Sequence, residues 1–313
     1  MTRVGIAGAG AWGLALAGAV QRAGSVPVVW SRRGAIVPGG KCTATGDDAA
    51  LRDVDFLLLT VSAQDIETVA RRLQPHLSIS LPLVICAKGI ARPGNRLLSD
   101  VIADILPGRP VAVLSGPSFA AEVVKSLPTA ITIASRDTAL AERIVGALGS
   151  ATFRPYVSAD PLGVQLGGAV KNVIAIACGI VTGRQAGENA RAALMTRGLA
   201  EMVRLGRAMG AKPETFAGLA GLGDLSLTAT SASSRNFRLG MALGRGDTLA
   251  AAFASIVGVV EGVATANAVV ELAERHRVDM PISTAVAAIV ERGEDITKIV
   301  TELLARPFRS ETA

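Results

Sequence analysis

Short apolar runs, rich in β-branched residues, recur along the first half of the chain at 3–7, 27–30, 55–61, 83–87, 111–115, 130–134 and 151–156. Between most of them lie stretches with helical spacing of apolar positions, at 12–23, 65–73, 95–106 and 138–148. Continuous rather than alternating apolar strands mark a sheet covered on both faces. Strands that alternate with helices predict that it is parallel and doubly wound. Beyond Tyr156 the pattern changes. Residues 162–181, 190–209, 264–276 and 283–291 keep the helical period, and strand-like runs nearly vanish. The pattern predicts an α/β chain: a Rossmann-like domain over 1–157, then an all-α domain over 158–313. The cleft between the halves is the expected ligand site.

The first strand runs into Gly8-Ala9-Gly10-Ala11-Trp12-Gly13. This G-x-G-x-x-G spacing allows a tight turn, close approach of a pyrophosphate and contact of helix with strand. The 18 residues between Arg3 and Arg22 carry no formal charge and could also be read as a secretory signal. Five glycines in that stretch argue against a signal core, and three cysteines are too few and odd in number for a disulfide framework. A soluble, cytoplasmic chain without stable membrane insertion is expected.

Composition narrows the function. The net charge of +6 invites a nucleic-acid reading, but the basic residues are scattered and aromatics make up only 3% of the chain. A mildly positive field suits an anionic small molecule, so no nucleic-acid partner is expected. Two histidines, with no Cys/His spacing, leave no metal site.

At the end of the second strand, where an NAD-binding fold places a carboxylate, the chain reads Trp30-Ser31-Arg32-Arg33. Two guanidiniums there would favour the 2′-phosphate of NADP(H), with NAD(H) possible; the alternative is a pair of solvated arginines. Lys88 follows the fourth strand, and Gly116 and Ser118 the fifth, all at the ligand edge of a parallel sheet. Gly163, Gly167 and Lys171 are spaced i, i+4, i+8 on one helix stripe. Two glycines beneath a lysine would let a ligand lie against the helix. A buried lysine suits proton donation to a developing alkoxide. Asp224 follows Gly223 as either a turn carboxylate or a site residue. Ser234-Arg235-Asn236 opens a helix, giving either a phosphate site or a plain serine cap.

These blocks, with Cys86-Ala-Lys88-Gly89, Leu114-Ser-Gly116-Pro-Ser118-Phe-Ala120, Gly221-Leu-Gly-Asp224 and Val260-Glu261-Gly262, occur in an order that resembles bacterial NAD(P)+-dependent sn-glycerol-3-phosphate dehydrogenases. The resemblance implies reversible reduction of dihydroxyacetone phosphate, a glycerol backbone for phospholipids, and a homodimer. It implies Lys171 as acid/base. Lys88, Gly116, Ser118, Asp224, Ser234, Arg235 and Asn236 would line the substrate, with Asp224 orienting Lys171 or holding a hydroxyl. It also implies Gly8, Gly10, Ala11, Trp12, Gly13, Arg32, Arg33, Lys88, Ala120, Arg235, Val259 and Glu261 around the cofactor. The chain departs from the family in three places: Ala11 where a serine is usual, no proline near Val61-Ser62, and a short segment after Arg33.

Overall fold

The computed structural model describes residues 1–32, 35–36 and 43–307. Arg33 of the arginine pair, and Cys42, lie outside them. Seven strands form one sheet: β1 (Arg3–Ala7), β2 (Val26–Trp30), β3 (Phe56–Leu59), β4 (Leu83–Ile85), β5 (Val111–Ser115), β6 (Thr129–Ser135) and β7 (Phe153–Ser158), in the order β2-β1-β3-β4-β5-β6-β7. Helices α1 (Ala11–Arg22), α2 (Ile66–Leu73), α3 (Leu98–Ile105), α4 (Ala120–Val124) and α5 (Thr138–Leu148) accompany it. Within this sheet all pairings are parallel except one: β5 and β6 run antiparallel, with Ala112 opposite Ser135.

This corrects the expectation of a wholly parallel sheet. The connection from β5 to β6 holds only the five-residue α4, which advances about 7.5 Å and cannot return the chain along the sheet. Both strands are buried on both faces, so their apolar pattern carries no direction.

The second half is helical: α6 (Pro161–Gly183), α7 (Glu188–Met209), α8 (Pro213–Ala217), α9 (Asp224–Thr230), α10 (Arg235–Gly244), α11 (Leu249–Ala254), α12 (Glu261–Arg275), α13 (Pro281–Arg292) and α14 (Ile296–Leu304), with a π-type turn at Leu219–Gly223. Helix α6 is the axle. By length and apolarity it could cross a membrane, but 94% of that span is buried inside the protein, where α7, α9, α10, α12 and α13 pack around it. Two G-x-x-x-G pairs set its closest crossing. Gly179 and Gly183 of α6 lie against backbone of α10, and Gly240 and Gly244 of α10 lie against the Ile176 and Ile180 carbonyls of α6. Any side chain at these positions would push the helices apart, so the start of α10 is held close to α6.

The cores do not follow chain order. Ile90 and Leu97, from the segment between β4 and α3, are buried in the helical core, and Val164 and Ala220 belong to the core under the sheet. Between Ile90 and Leu97 the chain makes a closed turn, with Ala91 and Arg96 exchanging two backbone hydrogen bonds. Its tip is fastened to the helical half: Arg92 donates to Glu291 at 2.7 Å, Asn95 donates to Glu271, and Arg275 donates to the Gly94 carbonyl at 3.1 Å.

Candidate active site

The glycine turn sits at the carboxyl end of β1, where the strand order reverses. Gly8 has φ +123°, and its neighbours across the turn are Thr60 and Val61. Thr60 Oγ1 donates towards the carbonyls of Ala7 and Gly8, at 3.0 and 2.9 Å. Gly13 packs onto the Gly8 carbonyl, which is the helix-to-strand contact expected of the third glycine. A Cβ at Gly10 would meet no protein atom within 4 Å, and no side chain caps α1 there. The open space at that position, with uncapped amides behind it, fits a pyrophosphate. Ala120 begins α4, which packs on α1.

Where the chain beyond β4 meets α6 and α9, three ionisable groups come together. Lys171 Nζ, on α6, donates to Asp224 Oδ1 at 2.5 Å and to Thr228 Oγ1 at 2.8 Å. Lys88 Nζ, beyond β4, donates to Asp224 Oδ2 at 2.7 Å and to the Gly116 carbonyl at 2.9 Å. Asp224 is thus one buried carboxylate shared between two ammonium groups. Burial alone would raise its carboxyl, but Lys171 and Lys88 reverse that and hold it below the usual range. Lys171 goes the other way. Burial pushes its ammonium down to about 8 and Lys88 adds to the fall, while Asp224, already divided with Lys88, restores only part. The result is an ammonium poised to give up a proton near neutral pH.

A chain of amides holds the triad in place. Asn172 Nδ2 donates to the Lys88 carbonyl, Asn236 Nδ2 donates to Asn172 Oδ1, and the Gly262 N–H donates to Asn236 Oδ1, each at 2.9 Å. Asn236, expected at the substrate, has both ends of its amide engaged by the protein and links α10 to α6 and α12. Ser234 is the cap of α10, accepting from the Phe237 N–H at 3.2 Å. The exposed Arg235 lies with its guanidinium against Gly258, next to half-exposed Val259. Ser118 Oγ donates to the Gly116 carbonyl at 2.9 Å.

Glu261 opens α12, and its Oε1 accepts from the Ala63 N–H of the sheet half at 3.1 Å. Burial raises its carboxyl above the ordinary value, and this hydrogen bond and Arg235 only partly offset the rise. Among the described residues, Trp12 Nε1, Ser115 Oγ, Glu261 Oε2 and Thr265 Oγ1 are buried without a hydrogen-bond partner. Trp12 follows the glycine turn, and Glu261 and Thr265 flank Gly89 beside Lys88. Partnerless polar atoms on this side of the cleft fit a polar dinucleotide.

One expectation is overturned. The stripe of Gly163 and Gly167 does not leave room for a ligand. The space at Gly163 is taken by Asp160 and Thr215, and a Cβ at Gly167 would lie 2.5 Å from the Ala220 carbonyl oxygen. Gly167 lets α6 seat against the π-type turn that leads into Asp224, and Gly163 lets its first turn close on Asp160 and α8. Thr228 was missed, although its signal was available: it stands four residues after Asp224 on α9, on the same face. The paired G-x-x-x-G motifs were equally visible.

Comparison with known proteins agrees with this geometry. Residues 40–141 match the N-terminal model, and 160–301 the C-terminal model, of NAD-dependent glycerol-3-phosphate dehydrogenase. A glycerol-3-phosphate dehydrogenase [NAD(P)+] of Parvibaculum lavamentivorans is 49% identical over 99% of this chain and 98% of its own. The chain belongs to the glycerol-3-phosphate dehydrogenase family. A relative of the same description from Rhodospirillum rubrum is 47% identical over 98% of this chain and 93% of its own. The crystal structure of glycerol-3-phosphate dehydrogenase from Coxiella burnetii superposes with a TM-score of 0.92 at 39% identity, covering 97% of this chain and 99% of that one. Family membership accounts for an N-terminal dinucleotide-binding domain joined to a helical one.

Proposed function

We propose that this chain reduces dihydroxyacetone phosphate reversibly to sn-glycerol 3-phosphate with NADPH or NADH, supplying the glycerol backbone of phospholipids. The observation that carries the reading is the Lys88–Asp224–Lys171 triad. A nicotinamide cofactor, when bound, supplies the hydride. Lys171 gives the proton to the carbonyl oxygen of the ketone as negative charge builds there, and takes it back in the reverse direction. Asp224 keeps that ammonium oriented, and Lys88 adds positive charge where the alkoxide forms. Gly8, Gly10, Ala11, Trp12, Gly13, Arg32, Ala120, Val259 and Glu261 make the cofactor side, and Gly116 and Ser118 the substrate side. The start of α10 takes the phosphate: with Ser234 committed to capping, Arg235 is the charge available to it. The division at 157/158, a homodimer and a cytoplasmic setting complete the reading.

The deciding assay is NADPH oxidation with dihydroxyacetone phosphate beside unphosphorylated dihydroxyacetone. Arg235→Ala should lower kcat/KM for the phosphorylated substrate by tenfold or more, roughly the worth of a charge-assisted hydrogen bond. The unphosphorylated substrate should lose far less. Equal loss on both would move the phosphate away from Arg235. No turnover of the phosphorylated substrate by the unaltered protein would end the reading.

A further inference from the structure

In a doubly wound fold, a carboxylate at the end of the second strand binds the ribose 2′-hydroxyl of NAD. That place here reads Ser31-Arg32 and holds no acid. The structure brings a carboxylate to it from another element. Asp65 stands in the turn that follows β3, and its Oδ1 lies 4.0 Å from Arg32 Nη2. Since β2 and β3 flank β1, this pair reaches across the strand end from which the glycine turn departs.

The carboxylate is anchored on one side only. Ser62 Oγ donates to Asp65 Oδ2 at 2.7 Å, and the Asp65 N–H donates back to Ser62 Oγ at 3.3 Å. That reciprocal cap fixes the side chain and leaves Oδ1 for Arg32. Both partners are about half exposed, at 59% for Arg32 and 47% for Asp65. At 4.0 Å the contact is an ion pair without a hydrogen bond, which a ligand can open at small cost. Two residues before Asp65, the Ala63 N–H donates to Glu261 Oε1 at 3.1 Å, so this turn stands on the same side of the cleft as Glu261.

We propose that Asp65 is the ribose-sensing carboxylate of this chain, accepting the 2′-hydroxyl of NAD(H) and opposing the 2′-phosphate that Arg32 attracts. The proposal rests on the dehydrogenase reading above. A 2′-phosphate dianion meets Arg32 favourably and Asp65 unfavourably, while a 2′-hydroxyl finds an acceptor already held in place by Ser62. The pair therefore balances the two cofactors against each other. The lean towards NADP(H) expected from two guanidiniums is tempered by a residue 33 positions beyond Arg32.

The test is direct binding, without turnover. Dissociation constants for NADH, NADPH, ADP-ribose and 2′-phospho-ADP-ribose would be measured by calorimetry on the full chain and on Asp65→Asn, Asp65→Ala and Arg32→Ala, with melting temperatures recorded for each. Asp65→Asn, which keeps the cap to Ser62, should strengthen the phosphorylated ligands about three- to tenfold, the reach of one charge at a half-exposed site. Asp65→Ala should in addition weaken NADH and ADP-ribose, and Arg32→Ala should weaken only the phosphorylated pair. Asp65 variants that change all four ligands by one factor, or none of them, would overturn the proposal while leaving the dehydrogenase reading intact. Failure of the unaltered chain to bind either dinucleotide would remove both.

Discussion

Asp224 and Glu201 are both carboxylates of the helical half, 1% and 0% exposed, and their surroundings drive them in opposite directions. Asp224 faces two ammonium groups and stays ionised well below the usual range. Glu201, on α7, faces the start of α13, where Ile282 N, Ser283 N and Ser283 Oγ donate to it at 2.6, 3.1 and 2.9 Å. Burial raises its carboxyl to about 7, against those three donors and the more distant Arg204. The contrast separates two uses of a buried acid. Full positive charges around Asp224 make a site that can hold and move a proton. Neutral donors around Glu201 make a joint that ties two helices, with its charge only half secured.

The largest expected effect is at Lys171. Lys171→Ala should cost roughly 10²–10⁴ in turnover, the usual worth of a positioned acid, with dinucleotide affinity nearly unchanged. Turnover within about threefold of the unaltered chain would take Lys171 out of the chemistry. Glu201→Ala should do the reverse. It strands three donors and should cost about 2–4 kcal/mol of stability, read by urea unfolding, with kcat per folded molecule unchanged. A fall in kcat would erase the distinction drawn above. The pH sense follows from the raised carboxyl. Between its ordinary value of 4.5 and about 7, the native state holds a proton that the unfolded chain has released. The Glu201 contribution to stability is therefore full below that window and is lost as pH rises through it. Glu201→Gln should flatten this slope.

Asp224→Asn sharpens the other side. Reduction needs Lys171 protonated, so the rate should fall as pH rises through about 8. Without the carboxylate, two ammonium groups face each other, and that limb of the profile should move by about one unit to lower pH. The smallest effect is expected for Thr228→Val, which removes one acceptor from Lys171 and should lower kcat by about two- to tenfold without moving KM.

Much of this was legible in the sequence, and the boundary is physical. The glycine turn was readable because Gly8, Gly10 and Gly13 sit at a strand-to-helix junction, and the burial of Lys171 because its helix is apolar on nearly every side. Asp224 stood open between a turn carboxylate and a site residue, and the structure shows it buried and bonded to both Lys88 and Lys171. The direction of β6 was hidden, since burial on both faces erases the pattern that would distinguish it. Gly163 and Gly167 were read as ligand space because periodicity tells that a face is covered but not by what. Glu201 gave no signal, for its partners lie 81 and 82 residues away.

The closed turn between Ile90 and Leu97 bears on how such a molecule can be recombined. Its two flanking side chains complete a core built otherwise from the second half of the chain, and its tip is bonded to α12 and α13. A chimera joined after residue 157 would bring a foreign plug to a native socket. Exchange between relatives is therefore constrained less by the covalent crossover point than by the match of eight residues to helices nearly two hundred positions away.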